Sequence, residues 1–289
     1  MRALQGIAVA VIIVSKRVYF VDTFSGDQLK RYTSLFVVVW TAAPIGAPFL
    51  GGFLQSIWGW SANFYFLGIF ALLVFLAECV VGKESLNAFL PFHYRSVINA
   101  YASMIRAADF SAGVIILGLG YTMLLVYGMA SPFLIENRLH YSASVTGYCS
   151  LLSGIAVFAG NSIARFFTQK PFFKKIVIAN SLQLLFLAGM IPLTLYFQSL
   201  LILLLYVVVL HSLAGFIFNT MYSYCMIRFS QHAGKASGLV GGGFSVITSL
   251  CSAALVNLIS ISDQTTLGVV YAILATGILL LMFVVKWRE

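Results

Sequence analysis

The sequence predicts an all-α membrane protein, a polytopic bundle of about nine transmembrane helices. Of its 289 residues, 61% are hydrophobic and only 9% are charged, and the mean hydropathy is +0.99. A soluble domain of this size could not present such a surface to water. Apolar runs of about 20 residues, the length of helix that crosses a bilayer, recur along the chain between short polar breaks.

The apolar runs give the predicted spans in order. The first run is interpreted as a span rather than a cleavable signal, because Gln5 and Gly6 interrupt its start and no small-residue cleavage site precedes a soluble domain. A longer, more polar stretch divides the chain into an N-terminal helical part (1–82), a central cytoplasmic loop (83–108) and a C-terminal six-helix part (109–289). The predicted spans are 3–21, 34–54, 61–81, 109–133, 143–167, 175–196, 200–226, 236–260 and 267–285.

The formal charge of +9 follows from membrane topology. Lysine and arginine collect in loops that stay cytoplasmic. Alternate loops agree along the whole chain, since the opposite side has essentially only Arg138, and this pattern supports the number of spans. It predicts a cytoplasmic C-terminus, an outer N-terminus and no nucleic-acid partner. The basic residues of the cytoplasmic side are Lys16, Arg17, Lys30, Arg31, Lys83, Arg95, Arg106, Arg165, Lys170, Lys174, Lys175, Arg228, Lys235, Lys286 and Arg288.

Enzymatic and metal-binding functions find no support in the sequence. It contains no Walker-type nucleotide motif, no H-E-x-x-H and no G-x-S-x-G, so we expect neither an enzyme nor a nucleotide-binding protein. The four cysteines lie within apolar runs at spacings unlike those of a metal site. We therefore expect no disulfide, no metal and no cofactor.

The segment APIGAPFLGG, residues 43–52, is the most informative part of the sequence. Its two prolines and its glycine pair would kink a spanning helix and expose its backbone to a close neighbour. Taken alone, the segment is compatible with an ordinary kinked membrane helix.

The same segment resembles the antiporter motif of the drug:proton antiporters of the major facilitator superfamily, in the bicyclomycin-resistance and multidrug-efflux subgroup. Stretches 59–68, 131–148 and 232–242 are similar to this family's sixth-helix entrance, its turn between helices seven and eight, and its eleventh helix. The subgroup pattern A-P-x-x-A-P-x-x-G-G matches Ala43, Pro44, Ala47, Pro48, Gly51 and Gly52.

The resemblance implies a partial major facilitator fold that begins at the family's fourth helix and lacks the first three. It implies proton-coupled efflux of small hydrophobic drugs or related compounds across a bacterial inner membrane, with lipid, substrate and protons as partners. The alternative is a truncated, transport-inactive fragment, or a membrane scaffold derived from such a transporter whose absent helices another chain supplies.

Two residues are proton-coupling candidates through the resemblance. Arg2, followed by Gln5 and Gly6, matches R-x-x-Q-G of the family's fourth helix, where the arginine is implicated in proton coupling. Asp22 matches the acid of the family's Arg-Asp pair, although Val21 replaces the arginine. Simple capping or solvation of a helix end also explains Asp22.

The seventh and tenth helices line the cavity in this superfamily, so polar and aromatic residues on them are substrate-cavity candidates by resemblance. For the aromatic residues, packing against lipid or core is the alternative. His211 and Asn219 could tie helices together or contact substrate. The candidates are Tyr121, Tyr127, His211, Asn219 and Tyr222.

The remaining features concern helix packing and helix ends. Gly234, Gly238 and Gly242 recur every four residues, so they form one stripe that lets a neighbouring backbone approach, either for packing or for a sliding interface between halves. Glu78 and Asp109 flank the central loop, and we expect both carboxylates to be solvated.

Overall fold

The computed structural model describes residues 2–23, 28, 46–47, 49–82, 94–167, 171–229 and 233–286. Every regular element in these ranges is a helix, which confirms the predicted all-α class. The first four helices are α1 (Arg2–Thr23), α2 (49–58), α3 (Ser61–Val81) and α4 (Tyr94–Arg106).

Helices α1 and α3 coincide with the predicted first and third spans, whereas most of the predicted span 34–54 lies outside the described residues. Gly59 separates α2 from α3 with φ of 79°, a left-handed conformation that glycine adopts without steric cost. No residue of α3 is buried. Its exposed side chains are mostly apolar, as expected of a helix that contacts lipid or other helices.

The described part of the central segment is mostly helical. Helix α4 covers Tyr94–Arg106, within the region predicted as a loop. Its 13 residues are too few to cross a bilayer. A search for long apolar runs overlooks such a helix, because its hydrophobic residues alternate with polar ones at helical spacing.

Six long helices form the compact part of the described structure. Their ends fall within a few residues of the predicted spans, and together with α3 they are the seven described helices long and apolar enough to cross a membrane. These six helices are α5 (Ala108–Pro132), α6 (Ala143–Phe166), α7 (Phe172–Tyr196), α8 (Leu200–Arg228), α9 (Ala233–Leu258) and α10 (Gln264–Lys286).

Helix α5 continues into a π-helical turn at Phe133–Arg138 before the chain reverses towards α6. The Thr146 hydroxyl of α6 donates to Oε1 of Glu136 at 2.9 Å, which ties the π turn to the next helix. The wider π turn follows Pro132, whose ring disfavours the regular helical hydrogen-bond pattern.

Helix α8 is the centre of the six-helix unit, and it packs against α5, α6, α7 and α9. Its contact with α6 is the most extensive, and glycines make that contact possible. A Cβ on Gly160 would meet the Ser212 carbonyl oxygen, and a Cβ on Gly215 would meet the Val157 carbonyl oxygen. The two backbones therefore approach each other closely, as small residues allow between membrane helices.

One end of the six-helix unit carries most of its basic residues. The start of α5 meets the end of α8 through Phe110 and Phe229, whose ring centroids are 5.1 Å apart. Lys175 at the start of α7 donates to the Phe167 carbonyl oxygen at 3.1 Å. We call this the basic end. Its exposed cations include Arg106, Arg165, Lys174, Arg228 and Lys286, whereas Arg138 is exposed at the opposite end.

Candidate functional site

A group of aromatic side chains from α5, α8 and α9 forms a continuous, half-buried surface, which we call the aromatic face. The Tyr121 ring centroid lies 6.0 Å from that of Phe218 and 5.7 Å from that of Phe244. Phe218 and Phe244 meet edge to face at 5.4 Å, and Tyr222 stacks on Phe218 at 6.1 Å. The structure thus brings together two predicted cavity residues, Tyr121 and Tyr222, with Phe218 and Phe244, which are not among the predicted site residues.

Asn219 lies beside this surface on α8 and is half-buried. Its side-chain amide makes no hydrogen bond to another residue within the described ranges. The amide therefore retains its donors and acceptor for another polar group at the edge of the aromatic face.

His211 and Tyr127 lie in the core of the six-helix unit, away from the aromatic face. His211 is fully buried, with Nδ1 2.7 Å from the Ser153 hydroxyl of α6 and Nε2 3.0 Å from the Tyr271 hydroxyl of α10. Tyr127 is 1% exposed, and its ring meets the imidazole edge at 5.3 Å. Of the two interpretations of His211 offered by the sequence, the contacts favour a residue that ties helices together.

Two side-chain amides of α7 extend this buried polar core, and neither is among the residues predicted from the sequence. The Asn180 amide donates to the Ala275 carbonyl oxygen at 2.9 Å, and the Gln183 amide donates to the Leu210 carbonyl oxygen at 3.1 Å. Both side chains are fully buried. Polar residues near the middle of an apolar run are the sequence signal that could have identified them.

The prediction that Asp109 is solvated is wrong. Its Oδ2 accepts a hydrogen bond from Arg228 Nε at 2.7 Å and another from the Tyr224 hydroxyl at 2.8 Å, and the residue is only 8% exposed. Phe172 stacks on Tyr224 at 4.1 Å. A carboxylate that finds a cation and a hydroxyl at the same depth can be buried at low cost. Glu78 is exposed on α3.

The described part of the antiporter motif lies against α6. A Cβ on Gly52 would come within 2.9 Å of the Ala143 carbonyl oxygen and 3.1 Å of Gly147 Cα, so this position requires glycine. The Asn63 amide donates to the Gly51 carbonyl oxygen at 3.4 Å. Ala47 is exposed. Ala43, Pro44 and Pro48 lie outside the described residues.

The predicted glycine stripe of α9 does not make the expected close contact at its described positions. No described atom lies within 4 Å of a Cβ placed on Gly242, and the nearest described atom to a Cβ on Gly238 is the Tyr101 hydroxyl at 3.8 Å. The close approach occurs at Gly243, where a Cβ would lie 2.7 Å from Val114 of α5. Gly242 and Gly243 point about 100° apart around the helix axis. The spacing of glycines in the sequence does not determine which of these directions faces a neighbouring helix. The surroundings of Gly234 lie outside the described residues.

Both proton-coupling candidates belong to α1. Arg2 begins the helix and Asp22 lies in its last turn. The positions of their side chains lie outside the described part of the structure.

A family model described as Major Facilitator Superfamily matches residues 1–252. The chain belongs to the major facilitator superfamily. Together with its seven described apolar helices, this membership makes it an integral, multi-pass membrane protein. The sequence prediction of the family is confirmed.

Individual relatives agree with the family and with the subgroup that the antiporter motif indicated. The uncharacterized MFS-type transporter YdgK of Bacillus subtilis (strain 168) is 24% identical over 245 residues, covering 83% of this chain and 61% of that protein. The multidrug resistance protein MdtL of Shewanella sp. (strain ANA-3) is 25% identical over 287 residues, covering 96% of this chain and 69% of that protein.

A third relative matches a shorter stretch. The bicyclomycin resistance protein homolog of Haemophilus influenzae is 34% identical over 73 residues, which cover 25% of this chain and 18% of that protein. The chain spans 61% of the length of YdgK and 69% of the length of MdtL.

Proposed function

We propose that the chain acts in proton-coupled efflux of small hydrophobic compounds, as a transporter of the major facilitator superfamily. The observation that carries the proposal is the aromatic face, in which Tyr121, Phe218 and Phe244 bring three helices of the six-helix unit together at one apolar surface. Family membership supports the transport step, and the two resistance-protein relatives support the class of compound.

The chemistry of the aromatic face suits compounds of varied shape. Rings that meet edge to face and stacked offer both apolar area and the negative faces that attract organic cations. No side chain of the face carries a formal charge, so recognition would depend on hydrophobic contact and on the polar groups of Tyr121, Asn219 and Tyr222. Such a surface favours small hydrophobic molecules over sugars or nucleotides, which need many directed hydrogen bonds.

The coupling and topology predictions form part of the proposal. Arg2 and Asp22 are the proton-coupling candidates that the family resemblance supports. We place the basic end, and with it the C-terminus, in the cytoplasm, because cytoplasmic segments retain lysine and arginine. The halves are 1–82 and 109–289, joined by the central segment 83–108.

A second candidate function is that of a transport-inactive membrane scaffold. The observation that favours it is the exposure of the N-terminal helices, since α3 has no buried residue and Leu4, Ile7 and Val11 of α1 are at least 60% exposed. These surfaces could bind helices of another membrane protein. A scaffold of this kind would form a stable complex and export nothing.

The test is efflux of a fluorescent hydrophobic cation from cells that express this chain, after membrane insertion has been confirmed. We expect efflux that stops when the proton gradient is collapsed. Phe218→Ala should reduce the efflux rate several-fold, because it removes the ring shared by Tyr121, Tyr222 and Phe244.

The matched control is Phe283→Ala, which removes a ring that is 57% exposed on α10. The control should export as the parent does. If the well-inserted parent shows no efflux and co-purifies with a second membrane protein, the transport function is rejected in favour of the scaffold function. Equal losses of efflux rate in both variants would show that the aromatic face is not the substrate-binding surface.

A further inference from the structure

Helix α4 presents three different stripes of side chains. Tyr101 and Met104 face the six-helix unit, and Met104 is fully buried there. The second stripe consists of Ile98, Ala102 and Ile105, in which the two isoleucines are 58% and 59% exposed. The third stripe is polar.

The polar stripe consists of Asn99, Ser103 and Arg106, all exposed. At about 100° per residue, the apolar stripe lies roughly a quarter turn from both the polar stripe and the packed stripe. A helix packed on protein would bury two isoleucines, and a helix in water would not display them in a row. The three stripes therefore fit a helix that contacts protein on one side, an apolar medium on the second and water on the third.

The position of α4 in the chain sets its height relative to the membrane. Only Ala107, with φ of −73° and ψ of 102°, separates α4 from the membrane-spanning helix α5. The Ser111 hydroxyl of α5 donates to the Ile105 carbonyl oxygen at 2.6 Å, which holds the end of α4 against the start of the span. Ile105 must therefore lie at the level where α5 enters the bilayer.

The charge at this level indicates which lipid the helix meets. Arg106 lies at the basic end, where Lys174, Arg228 and Lys286 are also exposed. The only carboxylate of the six-helix unit described at this end, Asp109, is already paired with Arg228. Anionic phospholipid headgroups are the complementary partner that a membrane surface supplies.

We propose that α4 is an interfacial helix that binds the anionic lipid surface. Ile98, Ala102 and Ile105 enter the boundary between headgroups and acyl chains, and Arg106 binds lipid phosphate. Helices of this kind lie in the interface plane with the apolar stripe buried roughly 5–10 Å below the surface. The inference goes beyond the proposed function and does not depend on whether the chain transports.

The test compares fluorescent labels on the two exposed stripes. The full chain is prepared with Cys79 and Cys251 replaced by alanine, while the buried Cys149 and Cys225 remain. Ile98→Cys and Ile105→Cys carry an environment-sensitive label on the apolar stripe. Asn99→Cys and Ser103→Cys are the matched controls on the polar stripe. Each protein is reconstituted in phosphatidylcholine vesicles with or without phosphatidylglycerol.

The quencher is a spin-labelled lipid whose spin label lies near the headgroup. In anionic vesicles, we expect it to quench the fluorescence of labels on the apolar stripe at least about twofold more than that of labels on the polar stripe. Quenching should decrease without phosphatidylglycerol. Arg106→Gln should reproduce that decrease in anionic vesicles, whereas Arg138→Gln at the opposite end should not. Equal quenching on both stripes, or quenching independent of phosphatidylglycerol and of Arg106, would overturn the proposal.

Discussion

The fully buried histidine of α8 links three helices through two hydrogen bonds. Ser153 belongs to α6 and Tyr271 to α10, so the imidazole of His211 joins elements that are separated by about 60 residues on either side. A neutral imidazole can donate from one ring nitrogen and accept at the other, which matches two hydroxyl partners. These contacts favour a role in holding helices together.

Replacing this histidine should destabilise the protein. His211→Ala leaves two buried hydroxyl groups without their partner and creates a cavity, and we expect the free energy of unfolding to fall by about 2 kcal/mol. Unfolding in a detergent titration measures the change. Asn257→Ala is the control, because Asn257 is exposed and hydrogen-bonds only within its own helix. A His211→Ala protein as stable as the parent would refute the bridging role.

The Asp109–Arg228 ion pair should contribute only modestly to stability. The arginine side chain is 50% exposed and the aspartate side chain 12%, so water screens the attraction. A double-mutant cycle with Asp109→Asn and Arg228→Gln should give a coupling free energy of about 1 kcal/mol. A coupling indistinguishable from zero would mean that the Tyr224 hydroxyl alone satisfies the carboxylate.

At the scale of helices, backbone contact depends on individual glycines. Gly160 and Gly215 allow α6 and α8 to meet, and Gly52 allows α2 to approach α6 at Gly147. In a membrane, where lipid competes for apolar side chains, such close contacts supply much of the association between helices. Gly52, the second glycine of the antiporter motif, therefore has a packing role.

Enlarging the motif glycine should disturb the contact between α2 and α6. In Gly52→Val the new side chain meets the Ala143 carbonyl and the Gly147 backbone, and overpacking of this kind costs about 1–3 kcal/mol. We expect weaker crosslinking between cysteines placed in α2 and α6, and slower efflux. Gly46→Val is the matched control, because no described atom lies within 4 Å of a Cβ at that position. Equal effects of both substitutions would contradict a specific contact.

At the scale of the whole molecule, the two ends of the six-helix unit differ in charge. The ends of α6, α8 and α10 meet the starts of α5 and α7 there, as their hydrogen bonds and ring contacts show. Contacts described at the opposite end involve no cation, for example the Gln264 amide donating to the Ser199 carbonyl oxygen at 2.8 Å and the Thr146 hydroxyl donating to Glu136. This asymmetry is the basis for placing the basic end in the cytoplasm.

Reporter fusions test the orientation. A fluorescent protein that folds only in the cytoplasm should fluoresce when fused after Glu289, and alkaline phosphatase at the same point should be inactive. Phosphatase inserted at Gln198, in the turn between α7 and α8 at the opposite end, should be active. The reverse pattern would show that the positive charge does not determine topology in this chain.

The positions of the spans could be predicted from the sequence because lipid imposes a local requirement. Each crossing needs an apolar run of about 20 residues with its backbone satisfied inside the helix. Predicted spans such as 61–81 and 143–167 therefore agree with Ser61–Val81 and Ala143–Phe166. Helix α4 was missed because it lies outside this requirement.

The sequence alone established the membrane class through its composition, the family through the glycine–proline pattern of residues 43–52, and the asymmetry of charge through the basic residues of alternate loops. The tertiary structure alone decided which polar residues meet. It paired Asp109 with Arg228, enclosed His211 between two hydroxyls and left Tyr121 at an apolar surface. The physical reason is helix rotation, because packing with distant helices sets the direction of each side chain and nearly uniform hydrophobicity leaves that rotation unspecified.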